Sequence, residues 1–451
     1  MAHVLDLEPP DETALDPLVT SALDRVVPNR SVGRVDQVVG LIIQARGLNA
    51  RLGDLCEIHT HNPYEPILPA EVVGFRENSL LLMPLGDMAH LAPGCRVVNT
   101  GSKFQVSVGP ELKGRILDGL GRPIDDRFEI SKNKAYRIES RPPHPLKRRE
   151  IKEPLYMGVR SIDAFTPIGK GQRVGIFAGS GVGKSTTLGM IARNTTADIN
   201  VIALIGERGR EVQEFIDHSL GPEGLKKSVV IVATSDQPAL IKIKAALVAT
   251  SIAEYFREAG HDVLLMMDSV TRVAMALREI GLAVGEPPTT KGYTPSVFAF
   301  MPRLLERAGT GENGSITGLY TVLVEGDDFN EPVADMTRGL LDGHILLTRD
   351  LAEQNHFPAV DVLRSVSRLF NAVTTPEHRQ MVSFLKDAMA TYRKNEDLIN
   401  IGAYVQGTNP KVDMAIRIQD ALNGFLRQQV DEPLTADAMQ QHLQGLMNYA
   451  F

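Results

Sequence analysis

Ala178-Gly179-Ser180-Gly181-Val182-Gly183-Lys184-Ser185-Thr186 is the stretch from which the fold can be read. The run before it, Arg173-Val174-Gly175-Ile176-Phe177, is apolar enough for a buried strand. The run after it, Thr187-Leu188-Gly189-Met190-Ile191-Ala192, suits the first turns of a helix. Strand, glycine loop, Lys-Ser and helix, in that order, form a cradle for nucleotide phosphates. Glycines let successive backbone N–H groups converge on anionic oxygens. The lysine adds a compact cation, and a hydroxyl one residue later can ligate Mg²⁺. The pattern ordinarily opens with glycine, and Ala178 stands in that place. Because Gly179 to Thr186 are otherwise intact, the stretch reads as a variant phosphate loop rather than a chance glycine-rich turn.

Composition sets limits around this motif. The chain has 451 residues, 43% hydrophobic and 23% charged, enough for two or three domains with a large core. Its net charge of −7 argues against a general nucleic-acid binder. The two cysteines, Cys56 and Cys95, have no second cysteine or histidine at metal-ligand spacing, so they read as free thiols of a reducing compartment. No basic segment followed by an apolar run marks a signal peptide. Apolar runs such as Val263-Leu264-Leu265-Met266-Met267 fall far short of the ~20 residues of a membrane span.

Patterning divides the chain into five stretches. Residues 1–24 are acidic and contain Pro9, Pro10 and Pro17, yet Leu15, Leu18, Val19, Ala22 and Leu23 recur at helical spacing, as in a flexible tail that offers a partner a short amphipathic helix. Residues 25–100 hold short Val/Ile/Leu runs between glycine and polar turns: Val38–Ile43, Leu55–Ile58, Val72–Phe75 and Ser79–Met83. These predict a small β-barrel. Residues 101–150 read as a connector ending in the basic, proline-rich run Arg141–Arg149, a solvated linker. From 151 to 370, strand-like runs at Val174–Phe177, Val201–Ile205, Val229–Ala233, Val263–Met267 and Thr321–Val324 alternate with helical stretches, predicting an α/β domain with a largely parallel sheet. From 371 to 451 the spacing turns helical, as in Met381, Leu385, Ala388 and Met389.

Cleaving a phosphoanhydride requires a metal, a positioned water and positive charge against the transition state. Asp268 ends the apolar strand 263–267, where a carboxylate can hold Mg²⁺ through its water shell. Glu207 lies just past the strand 201–205, where it can orient the attacking water. Arg208 and Glu211 are placed to tune it or to pair across the site.

Longer motifs carry a family resemblance. Pro358-Ala359-Val360-Asp361-Val362-Leu363-Arg364-Ser365-Val366-Ser367-Arg368 resembles the signature of the rotary ATPase α/β subunit family, and Gly206-Glu207-Arg208 resembles its catalytic-glutamate segment. Gly292–Phe298, Leu304–Gly309, Val324–Pro332, Asp342–Ile345 and Asn400–Tyr404 are similar to the type III export ATPases, which energise flagellar export and the related injectisomes. The resemblance spans about residues 25–430. It implies a RecA-like P-loop core between an N-terminal β-barrel and a C-terminal helical domain.

The resemblance also implies roles and partners. Lys184 would contact the β- and γ-phosphates and Ser185 the Mg²⁺. Glu207 would act on the water and Asp268 would support the metal. Arg368 would be an arginine finger reaching a neighbour's site in a homo-hexamer, with Arg364 as the weaker candidate. Phe357 would stack on adenine, with Tyr404 as the second wall. The partners implied are a stator-like regulator bound to the tail, a stalk, an export gate and chaperone–substrate complexes. The enzyme would be cytoplasmic and would meet the inner membrane only through them. The leading expectation is an ATPase of flagellar export, and the runner-up is an injectisome ATPase. A catalytically silent ring subunit is disfavoured by the joint presence of Lys184, Glu207, Asp268 and Arg368. Export-type motifs disfavour a synthase subunit. The acidic balance, with no aromatic-basic strip in 30–100, disfavours a termination-type helicase.

Overall fold

The structure is a computed structural model that describes residues 31–125, 127, 134–324 and 331–448. The helix expected within residues 1–24 lies outside the described residues. The chain divides into two compact units, one ending at Lys103 and the other beginning at Phe104.

The first unit is a closed barrel of β1 (Val32–Val39), β2 (Ile42–Arg46), β3 (Asp54–His59), β4 (Leu68–Arg76), β5 (Ser79–Pro84) and β6 (Arg96–Lys103), in the order β1-β2-β5-β4-β3-β6. Neighbouring strands are antiparallel, and the consecutive pairs β1–β2 and β4–β5 are joined by short turns. The apolar run 38–43 is therefore two strand ends: Val39 pairs with Ile42 across a turn at Gly40, whose φ is +59°. Val35, Ile43, Cys56, Ile58, Val72, Leu82 and Val97 fill the interior. Cys56 and Cys95 are both free and buried, and burial pushes the Cys56 thiol up to about 12, which makes it inert.

The second unit is built on a sheet of β7 (Ile116–Asp118), β8 (Arg173–Ala178), β9 (Ile199–Ile205), β10 (Ser228–Ala233), β11 (Asp262–Asp268), β12 (Ser315–Leu323), β13 (Gly343–Leu347) and β14 (Val366–Ser367). Their spatial order is β14-β13-β8-β12-β11-β9-β10-β7. Every neighbouring pair is parallel except β13–β14. Helices cover both faces of such a sheet, and this is why β9 and β11 read as unbroken apolar runs and not as alternating ones. β12 starts six residues before the run read from the sequence, because its first half, Ser315-Ile316-Thr317-Gly318, is too small and polar to stand out.

The connector departs from the linker expected. Ile116–Asp118 pairs with β10 and adds the outermost strand to the sheet. The basic run packs on the core: Arg148 donates to the carbonyls of Ala308 and Glu306, Arg149 donates to Gly311 O, and Lys147 pairs with Glu312. Next to it, Arg307 and Glu254 form a buried ion pair that also binds Ile138 O and Ser140.

Three helices close the chain, Pro376–Asn400, Pro410–Leu426 and Ala436–Met447. Thr375, Asn409 and Thr435 cap their N-termini with side-chain oxygens. Leu385, Ile418, Leu422, Phe425 and Leu443 join the same hydrophobic cluster as Phe165 and Leu188, so these helices share a core with the sheet. Among the described residues no helix is long and apolar enough to cross a membrane.

Candidate active site

All strands flanking the glycine loop run parallel, so their carboxyl ends gather on one edge, where ligands of open α/β sheets bind. β8 ends at Ala178 and the loop turns there. Gly181 and Gly183 take φ of +78° and +83°, which a side chain would strain. Val182 is buried and anchors the loop, while Ser180, Gly181, Ser185 and Thr186 face solvent. The helix Lys184–Asn194 starts directly at the loop with no side-chain cap, so its first N–H groups are left for a ligand.

Three charged groups meet at the neighbouring strand ends. Lys184 Nζ pairs with Asp268 Oδ1 and lies 3.2 Å from Glu207 Oε1. Asp268, the last residue of β11, is 4% exposed and also accepts from Thr321 Oγ1 of β12 at 2.6 Å. Burial raises the carboxyl of Glu207 above the usual range, against the pull of Lys184. Glu207 also shares a hydrogen bond with Glu211, whose own carboxyl is lowered by it. Glu207 thus holds a proton more tightly than an ordinary glutamate.

Arg208 does not join this cluster. Its side chain is 79% exposed and pairs with Glu211 at 2.8 Å. Arg272 is a residue the sequence reading missed. It lies on the first turn of the helix Val270–Val284, its aliphatic carbons pack over Gly206, and its Nε is buried without a partner among the described residues. A cation four residues after a strand-ending aspartate was the available signal.

The loop also borders a pocket of about 510 Å³. Phe357 lies 3.4 Å from where a side chain on Gly183 would begin, and its ring forms one wall. The other wall is Arg427-Gln428-Gln429-Val430, which follows the helix Pro410–Leu426. Tyr404 is not brought to this pocket: its hydroxyl bonds Asn409 O and Asp413 Oδ1 in the turn between the two long C-terminal helices. Arg368 follows the edge strand β14, and its side chain is exposed. Its main-chain N–H donates to Asp342 O, and among the described residues its guanidinium makes no ion pair. Arg364 is exposed as well.

The flagellum-specific ATP synthase of Bacillus subtilis (strain 168) is 55% identical over 401 residues, 89% of this chain and 92% of that protein. The sequence models of the ATP synthase alpha/beta family match at residues 35–101 for the β-barrel domain and 158–367 for the nucleotide-binding domain. The chain belongs to the ATP synthase alpha/beta family. Within that family it is of the type III export kind, an ATPase: residues 374–445 match the C-terminal domain of the T3SS EscN ATPase. The type 3 secretion system ATPase of Xanthomonas euvesicatoria is 48% identical over 420 residues, 92% of this chain and 95% of that one. The solved assembled ATPase EscN of enteropathogenic E. coli superposes with a TM-score of 0.86 at 44% identity, over 93% of this chain and all of that one. As in that family, the order is β-barrel, nucleotide-binding domain, helical domain. Flagellum-specific relatives recur, with Treponema pallidum at 49%, and they support the flagellar reading.

Proposed function

We propose that this family member hydrolyses Mg-ATP at the Lys184–Glu207–Asp268 cluster and couples the cycle to flagellar protein export. The observation that carries the reading is the single lysine held between two carboxylates at the sheet's carboxyl edge, beside an uncapped helix start.

The donors fit Mg²⁺. Ser185 offers a hydroxyl at the exposed helix start, and among the described residues both side-chain bonds of Asp268 fall on Oδ1, which leaves Oδ2 to hold a metal-bound water. Among the described residues no group of three or more His, Cys, Asp and Glu could cage a metal, and Mg²⁺ habitually takes one or two protein oxygens plus phosphates and water. The bound ion would supply charge neutralisation on the phosphates.

The protein's own groups do the rest. Entering phosphates compete for Lys184 and draw it off Glu207. Freed of that cation, Glu207 becomes more basic and takes its place against the attacking water, with Glu211 hydrogen-bonded beside it. Arg272 projects from the adjoining helix as a further cation for phosphate oxygens. Phe357 and the Arg427–Val430 segment bracket the base. Arg368, exposed just after an edge strand and without an ion pair among the described residues, serves a neighbour's site as an arginine finger, which calls for a ring of six copies. EscN has been solved in complex with its central stalk EscO, and a stalk partner is proposed here by likeness. Residues 1–24, outside the described set, are proposed to dock a stator-like regulator. Export-gate and chaperone–substrate contacts complete a cytoplasmic assembly at the membrane.

The test is complementation. A strain lacking its flagellar export ATPase should regain motility with this chain and not with Glu207→Gln. Rescue of an injectisome mutant alone would favour the injectisome reading.

A further inference from the structure

The base-facing wall Arg427–Val430 is neither helix nor strand. A segment of this kind holds a shape only as well as its ties do. Several of its ties, and those of the residues flanking it, meet at Arg160. Arg160, 7% exposed, bonds the segment and both its flanks: Nε donates to Phe425 O at 2.7 Å, Nη2 donates to Arg427 O, and both terminal nitrogens engage the Glu432 carboxylate. The main-chain N–H of Arg160 donates to Gln428 Oε1 at 2.9 Å, and Gln428 Nε2 returns to Gly158 O at 3.0 Å. The guanidinium also lies 5.9 Å over the Phe425 ring.

The wall is tied to the site itself as well. The Gln428 N–H donates to Phe357 O at 3.0 Å, which joins the two walls of the pocket. Arg193, on the last turn of the helix that starts at Lys184, donates to Val430 O at 2.7 Å. The gap between the Phe357 ring and the wall is thus fixed by contacts that touch no phosphate.

From this geometry we infer that Arg160 is a positioning residue for base recognition: it fixes the width and edge chemistry of the slot between Phe357 and Arg427–Val430, and so sets discrimination among purine nucleotides. The inference rests on the proposed reading of the pocket as the base site. It requires the forked guanidinium and not charge alone, because the single nitrogen of a lysine cannot meet acceptors set out for Nε, Nη1 and Nη2.

Steady-state hydrolysis of ATP and GTP by the full chain tests it. For Arg160→Lys, the KM for ATP should rise about tenfold, the size of one lost charge-assisted hydrogen bond, while kcat at saturating ATP stays within about twofold. The ratio of kcat/KM for ATP over GTP should fall by a similar factor. A purely structural arginine would lower Tm and leave that ratio unmoved, and this result would overturn the inference. Should Arg160→Lys fail to fold, Glu432→Gln loosens the same guanidinium from the outer side, and its ATP/GTP ratio decides in the same way. Phe357→Ala separates the two layers. If it alters the ratio and both other variants do not, the base site stands and the role of Arg160 falls. If Phe357→Ala leaves the KM for ATP unchanged, the base-site reading itself falls.

Discussion

Lys184 Nζ lies 3.2 Å from Glu207 Oε1 while also bonding Asp268, so the cation that should meet the phosphates and the carboxylate that should act on water are each other's partners in this structure. Such a pair orders both groups before substrate arrives, and it makes their roles separable by substitution.

Glu207→Gln should retain ATP binding and lose turnover by ~10²–10⁴-fold, the usual scale of general-base assistance. Lys184→Ala should weaken both, because its charge acts in the ground state and the transition state alike. Equilibrium nucleotide binding alongside steady-state hydrolysis gives the split. Hydrolysis by Glu207→Gln near the parent rate would remove it from the mechanism.

Arg368→Ala should cost ~10³–10⁵-fold in kcat if the guanidinium completes a neighbour's site. Specific activity of the parent should then climb with protein concentration. Inactive Arg368→Ala and Glu207→Gln chains should partly restore each other when mixed. Activity flat across the monomer-to-oligomer range rules the trans arrangement out.

Phe357→Ala should raise the KM for ATP roughly 5- to 150-fold, the equivalent of ~1–3 kcal/mol of base stacking, with kcat little changed. Phe357→Tyr keeps the ring and should sit near the parent. An unchanged KM in the alanine variant would return Phe357 to the role of a surface aromatic.

Asp163 offers a pH test. Its two oxygens accept from the N–H groups of Met157 and Gly158 at 2.8 Å each, and burial nevertheless pushes the carboxyl from 3.8 up to about 7. Between those two values the folded chain binds more protons than the unfolded one. Its contribution to stability therefore declines as pH rises through that window and levels off above it. Asp163→Asn cannot titrate, though its NH₂ opposes one of the two donors and lowers Tm throughout. Between about pH 5 and pH 8 the parent should lose more Tm than the variant loses. Parallel curves would contradict the shift.

The phosphate loop, Glu207 and Asp268 were legible because each is a local event, an apolar strand ending in a chemically distinctive residue. Phe357 and Arg368 came from longer motifs. What escaped reading was set by distant packing. The second wall of the pocket arrives from beyond the helix Pro410–Leu426 with nothing in Arg427-Gln428-Gln429-Val430 to announce it, so the motifs point to Tyr404 in its place. Arg208 directly follows Glu207 in sequence, yet the turn after β9 directs it to solvent. The strand Ile116–Asp118 is too short to show a period, and the run Arg141–Arg149 gave no sign that its arginines would find main-chain carbonyls on the core.

That short strand bears on how the molecule can be taken apart. A fragment starting at residue 151, where the nucleotide-binding pattern begins in the sequence, would bare the hydrogen-bonding edge of β10 and strip Ile138 and Ser140 from the buried Arg307–Glu254 pair. It would gain a sticky sheet edge and lose two partners of an interior charge. Excision just before Phe104, where the second compact unit begins, leaves those contacts whole, so a fragment meant to keep the sheet intact has to carry residues 104–150 with it.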